Sequence, residues 1–166
     1  MSAVFPAELL DGARALLGAL QQPNLKLATA ESCTGGLLAG LLTEIPGSSA
    51  TLERGFVTYS NAAKTDLVGV DAKLIAEVGA VSEDVARAMA DGALASAPVD
   101  ISIAVTGIAG PDGGTPEKPV GLVYVAVARI AHTTIVREFR FGDIGRDGVR
   151  LASLREALAL AQAALV

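Results

Sequence analysis

Residues 25–36 read LKLATAESCTGG: an apolar run, then a hydroxyl, a thiol and two glycines. The run has the length and character of a short buried strand over Leu25–Ala30, and the glycines release the chain from it. The stretch that follows, TGGLLAGLLTEI at 34–45, is apolar nearly all round and stops at Pro46. It reads as a buried helix whose first residue is Thr34 or just before. Gly35, Gly36 and Gly40 each cost about 1 kcal/mol of helix propensity relative to Ala, which points to close approach of the backbone to another surface or a ligand.

Outward from this segment, helices alternate with strands. Leu9, Leu10, Ala13, Leu16, Leu17 and Leu20 recur at helical spacing over Pro6–Gln21, with Pro6 in the first turn. GFVTYS (55–60) is strand-like and turns into a short helix that Asn61 caps. A further short helix, 71–78, ends at Gly79, and Ser82 with Glu83 and Asp84 suits the start of the next. ISIAVTG (101–107) is continuously apolar and leads into GIAGPDGGTPEKPVG (107–121), a connection long enough to suggest a functional loop. GLVYVAVARI and HTTIVREFRF pair across a turn near Ala131, and 146–166 is a closing helix. The pattern predicts a single domain over 1–166, α/β in class: a three-layer αβα sandwich on a mixed, mostly parallel sheet. Ligands bind beyond the carboxyl ends of strands in such sheets, and AESCTGG, TYSNAAK and TGIAGPDGG all follow strand ends.

Composition narrows the partners. Thirteen Lys and Arg stand against 18 Asp and Glu, and the resulting charge of −5 does not attract a phosphate backbone, so no nucleic-acid partner is expected. One cysteine excludes an intramolecular disulfide and a multi-cysteine zinc site, and suits a reducing, cytoplasmic setting. The first ten residues lack the basic and unbroken apolar regions of a leader. No run approaches the ~18 apolar residues of a membrane span, so no membrane partner is expected either. GLVYVAVA and the Ala/Leu-rich last helix leave apolar surface enough for a homo-oligomer.

A serine hydroxyl needs a base to become nucleophilic. The only histidine, His132, falls at the hairpin turn, far from the strand-end loops, so a Ser-His-Asp triad is not expected. A neutral lysine is the remaining base with precedent, since burial lowers its pKa. Of Lys26, Lys64, Lys73 and Lys118, Lys64 is best placed, a few residues past a strand among Ala62, Ala63 and Leu67. Blander roles stand beside these: Ser32 or Thr34 as helix cap, Cys33 as packing, Lys64 as a solvated charge. Neither GxxxxGK[ST] nor GxGxxG is present.

AESCTGG, PGSS (46–49), GFVTYSNAAKTDLVGV, GAVS (79–82), TGIAGPDGG and KPVG (118–121), in this order, resemble the C-terminal domain of the competence/damage-inducible CinA family. The resemblance runs from about residue 6 to 165. It implies a nicotinamide-nucleotide amidase, which converts nicotinamide mononucleotide to nicotinate mononucleotide and ammonia in pyridine-nucleotide salvage, with no metal and no cofactor. A non-catalytic small-molecule-binding homologue, or an amidase of another heteroaromatic amide, are the alternatives. The resemblance puts the nucleophile at Ser32 and the base at Lys64, with Tyr59 as helper. Around the substrate it suggests Glu31, Cys33, Thr34, Gly35, Gly36, Asn61, Thr106, Gly107, Ala109, Gly110 and Lys118. Amides near Cys33, Thr34 and Gly35 would meet an oxyanion, and the loop 106–114 with Lys118 would hold a phosphate. The end of the chain departs from the family: relatives carry a compact GDR followed by another Arg, whereas FGDIGRDGVR leaves Arg146 and Arg150 as rival phosphate ligands.

Overall fold

A computed structural model describes residues 3–166. Helix α1 (Ala7–Gln21) precedes β1 (Leu27–Glu31), α2 (Leu37–Thr43) and β2 (Leu52–Val57). Three helices follow, α3 (Asn61–Val68), α4 (Ala72–Val78) and α5 (Glu83–Ser96), then β3 (Ile101–Gly107), β4 (Leu122–Arg129), β5 (Ile135–Arg140) and α6 (Arg146–Ala163). The strands form one sheet in the order β2-β1-β3-β4-β5. β1 is parallel to both β2 and β3, while β4 is antiparallel to both β3 and β5, so β4 alone runs against the other four. The expected three-layer α/β sandwich with a mixed sheet is what the chain forms.

Side-chain alternation along the strands decides how each face is covered. Leu27, Ile101, Ile103, Val105, Val123, Val125 and Val127 face α1, α2 and α6. Ala30, Ala104, Ala126 and Ala128 face α5. Large residues therefore fill one side, and alanines let α5 lie close on the other. Ser102 Oγ donates to Ala90 O of α5 at 2.6 Å, and Thr106 Oγ1 donates to Ala80 O at 2.9 Å, so the polar residues on the alanine face are satisfied there. Among the described residues no helix is long and apolar enough to cross a membrane.

Several boundaries differ from the sequence expectation. α2 begins at Leu37 rather than near Thr34, because Gly35 (φ +57°) and Gly36 (φ +100°) are left-handed and cannot start a right-handed helix. β1 begins and ends slightly later than expected, and β2 ends at Val57 instead of Ser60. The chain is already turning at Thr58, and Ser60, not Asn61, caps α3 by accepting from Ala63 N–H at 3.0 Å. Ala131 sits at φ +61° in the β4–β5 turn, where the hairpin was expected.

α5 and α3 meet at a glycine. A Cβ added to Gly92 would lie 1.8 Å from Val68 O at the end of α3, whereas one added to Gly18 on the exposed side of α1 meets nothing. Gly→Ala in an open helix gains up to about 1 kcal/mol. Overpacking against backbone costs about 1–3 kcal/mol or more. Chemical denaturation should therefore give opposite signs, Gly18→Ala raising the midpoint and Gly92→Ala lowering it; a stabilised Gly92→Ala would contradict the α3–α5 packing.

Candidate active site

Ser32 follows β1 directly, and its N–H donates to Val105 O of β3 at 2.9 Å, which continues the parallel pairing past the strand end. On the other side of β1, Thr58 N–H donates to Glu31 O at 2.8 Å. The carbonyl of Thr58 is thereby brought beside Ser32. Alternation sends Glu31 to the α2 face and Ser32 to the face of α3 and α5, so consecutive residues act on opposite sides of the sheet.

Lys64 projects from α3 towards that second face and is only 1% exposed. Its Nζ lies 3.0 Å from Ser32 Oγ and 2.8 Å from Thr58 O. Both partners are neutral. Burial therefore pushes the Lys64 pKa below its ordinary value of 10.5, with only a smaller opposing pull from Cys33. Lys64 Nζ donates to both oxygens; in its neutral form it keeps the N–H donated to Thr58 O and can turn its lone pair to the Ser32 hydroxyl. The pair has the geometry of a nucleophile and its base.

Cys33, next in sequence, behaves differently. Burial pushes its thiol up to about 12, against smaller downward pulls from its own backbone hydrogen bond and from Arg150. It is a packed thiol at neutral pH, part of the α1–α2–α6 core.

Ser32 and Lys64 open onto a cavity of about 290 Å³, at the small end of ligand sites. The expected helper Tyr59 lines it, and so do Cys33, Asn61, Thr106, Gly107, Ala109 and Gly110 of the residues expected around a substrate. Gly107 lies so close to β4 that a Cβ there would approach Leu122 O to 2.8 Å. Five others are placed elsewhere. The Glu31 carboxylate accepts from the N–H groups of Leu38 (2.8 Å) and Ala39 (3.1 Å), capping α2 from outside the helix, so it has no oxygen turned to the cavity. Thr34 is fully buried, and Gly35 and Gly36 shape the turn behind Ser32. Lys118 Nζ donates to Val78 O at 2.6 Å and so pins the long loop to α4 instead of reaching a phosphate.

Arg146 and Arg150 take different positions. Arg146 lines the cavity, donating to Gly110 O at 2.8 Å and to Tyr59 Oη at 3.2 Å. Arg150 points to the far side of the Ser32 turn and donates to Cys33 O (3.2 Å) and Thr34 O (3.3 Å). Ala80, Val81, Ile108, Asp112 and Gly113 complete the lining and were not singled out in the sequence. The signal for Ala80 and Val81 was the GAVS motif itself; for Asp112 and Gly113 it was the loop in which their neighbours had been picked.

Comparison with known proteins finds relatives for the chain and its fold. The family model of the CinA C-terminal domain matches residues 11–165. A CinA-like protein of Syntrophus aciditrophicus (strain SB) is 51% identical over 153 residues, covering 91% of this chain and 35% of that protein. A CinA-like protein of Citrifermentans bemidjiense is 54% identical over 152 residues, covering 91% of this chain and 36% of the other. The chain thus spans about a third of the length of these curated relatives. The crystal structure of the competence/damage inducible protein CihA from Agrobacterium tumefaciens superposes with a TM-score of 0.96 at 48% identity, covering 99% of both chains. A CinA superfamily protein from Escherichia coli gives 0.88 at 34% identity, covering 99% of this chain and 95% of that one.

Two predictions follow from the charge states. Between the depressed folded pKa of Lys64 and 10.5 the unfolded chain binds more protons, so stability rises with pH across that window. Lys64→Met removes this contribution: its stability advantage over the parent should shrink as pH climbs towards 10.5, and an advantage that stays constant would show that Lys64 is not depressed. For Cys33, a pKa of about 12 leaves about one thiol in ten thousand ionised at pH 8. Intact-mass analysis after iodoacetamide should find the native protein unmodified and the urea-unfolded protein alkylated; rapid native alkylation would contradict the assignment.

Proposed function

The chain belongs to the CinA C-terminal domain family, and from that premise we propose that it is an amidohydrolase acting on nicotinamide mononucleotide, releasing ammonia and nicotinate mononucleotide. The single observation that carries the reading is the 3.0 Å approach of a buried, uncompensated lysine amine to a serine hydroxyl at a strand end. A binding module needs no such pair.

In the first half-reaction the Lys64 lone pair takes the Ser32 proton as Oγ bonds to the carboxamide carbon. The carbonyl becomes a tetrahedral oxyanion. Lys64, now an ammonium, returns the proton to the amide nitrogen, the C–N bond breaks, and ammonia leaves an acyl-serine. Water then attacks that ester with Lys64 again as base, and the acid is released as Ser32 recovers its hydrogen.

The oxyanion needs a fixed donor. Gly35 N–H is committed to Ser32 O at 3.0 Å, and Thr34 is fully buried. Cys33 follows the nucleophile and lines the cavity, so its N–H is the donor best placed. A donor of this kind contributes about 3 kcal/mol to lowering the barrier.

The phosphate of the substrate calls for a cation in a chain of net charge −5. Arg146, held over the cavity by Gly110 O and the Tyr59 hydroxyl, supplies a guanidinium suited to a phosphate dianion. Tyr59 is 61% exposed, which suits a group at the mouth that closes on a ligand better than a proton carrier beside Ser32.

Ammonia release from nicotinamide mononucleotide is the test. Ser32→Ala and Lys64→Ala should each lose about 1,000-fold or more in kcat. Cys33→Ala should keep most of its activity. A wild-type protein that binds the nucleotide without releasing ammonia would instead identify a non-catalytic homologue, and a Cys33→Ala variant as dead as Ser32→Ala would reassign the nucleophile.

A further inference from the structure

Arg150 is one helical turn beyond Arg146 on α6, yet the two guanidinium groups serve different places. Arg146 borders the Ser32 cavity; Arg150 borders a separate cavity of about 230 Å³ shared with Leu37, Asp147 and Leu151. From there its Nε and one terminal nitrogen reach the carbonyl oxygens of two consecutive peptides, those of Cys33 and Thr34, at 3.2 and 3.3 Å.

These carbonyls belong to the turn that carries the nucleophile. Ser32 O accepts from Gly35 N–H at 3.0 Å, and Thr34 O accepts from Leu37 N–H at 2.9 Å. Two left-handed glycines, Gly35 and Gly36, interrupt the backbone between them. Glycine leaves such a turn free to rearrange unless something outside it fixes the peptide planes. In a trans peptide the C=O of one residue and the N–H of the next point in opposite directions. Arg150 on Thr34 O therefore sets Gly35 N–H, which donates to Ser32 O, and Ser32 O shares its peptide plane with the Cys33 N–H.

We infer that Arg150 is a positioning residue for the hydrolytic chemistry proposed above: by bridging the Cys33 and Thr34 carbonyls it holds the Ser32–Gly35 turn in the one arrangement that presents the serine oxygen and the Cys33 amide together to the cavity. The inference rests on the Ser32–Lys64 reading for its chemistry. A planar guanidinium reaches two neighbouring acceptors at once, which a lysine ammonium at the same place does not do with the same rigidity. Since Arg150 does not border the substrate cavity, its loss should act on the rate of the chemical step and leave substrate affinity nearly untouched.

The experiment compares the wild type with Arg150→Ala and Arg150→Lys by two readouts: the rate at which a fluorophosphonate probe labels Ser32, and kcat and KM for nicotinamide mononucleotide. Labelling needs an activated serine and an oxyanion donor but no amide substrate. In Arg150→Ala both labelling rate and kcat should fall about 10- to 100-fold, the range expected for a misplaced rather than missing catalytic group. KM should move by less than about threefold. Millimolar methylguanidine, offered to the cavity of about 230 Å³ that Arg150 borders, should restore labelling of Arg150→Ala saturably, without changing its thermal unfolding, and should leave the wild type unaffected. Wild-type labelling rates in Arg150→Ala, a loss expressed in KM alone, or a folded variant that methylguanidine does not rescue would each overturn the inference. If Arg150→Ala does not fold, Arg150→Lys carries the same comparison, and full labelling there overturns it. A wild type that labels but does not hydrolyse the nucleotide removes the substrate reading and leaves Arg150 to be decided by labelling; a wild type that does not label removes both.

Discussion

A lysine amine buried beside two neutral oxygens is the constraint on which the rest of this molecule turns. Keeping an ammonium there without an anion costs several kcal/mol. The same burial makes the neutral form accessible, and a neutral amine 3.0 Å from a hydroxyl is a base in position. A carboxylate near enough to pair with Lys64 would stabilise the fold and abolish the base. The nearest one in sequence to Ser32, Glu31, is turned to the opposite face of the sheet and occupied by the amides of α2.

The sheet supplies the positions. β1 lies between two parallel neighbours, so its end is pinned on both sides, by Val105 O to Ser32 and by Glu31 O to Thr58. Four strands point the same way, and the connections after β1, β2, β3 and β5 therefore arrive at one rim. They bring, in turn, Ser32, the Tyr59–Lys64 segment, the Thr106–Gly113 loop and Arg146. A small alanine-lined face lets α5 sit low enough on the sheet to support α3, which carries Lys64.

Much of this was legible in the chain. With the sole histidine at a hairpin turn, Lys64 is the best-placed base in the sequence, the family resemblance puts the nucleophile at Ser32, and the strand-end loops are those that line the cavity. What stayed hidden depended on contacts that no local pattern carries. Glu31 looked like a substrate contact because its role as an outside cap appears only once Gly35 and Gly36 delay α2 to Leu37. Lys118 looked like a phosphate ligand, but its partner, Val78 O, lies 40 residues away. Choosing between Arg146 and Arg150 required the direction of β5, since only that fixes which residue of α6 first meets the rim. Ser60 and Asn61 compete for one cap on nearly equal chemistry, and the strand's early end decided for Ser60.

The most direct measurement of the central claim is the protonation state of Lys64 itself. Lysine-selective ¹⁵N NMR resolves four side-chain amines, those of residues 26, 64, 73 and 118. The account requires the Lys64 resonance to titrate below the ordinary 10.5 of a lysine and to shift when Ser32 is replaced by Ala. A Lys64 amine that titrates at 10.5 or above, and ignores the loss of the Ser32 hydroxyl, would contradict it.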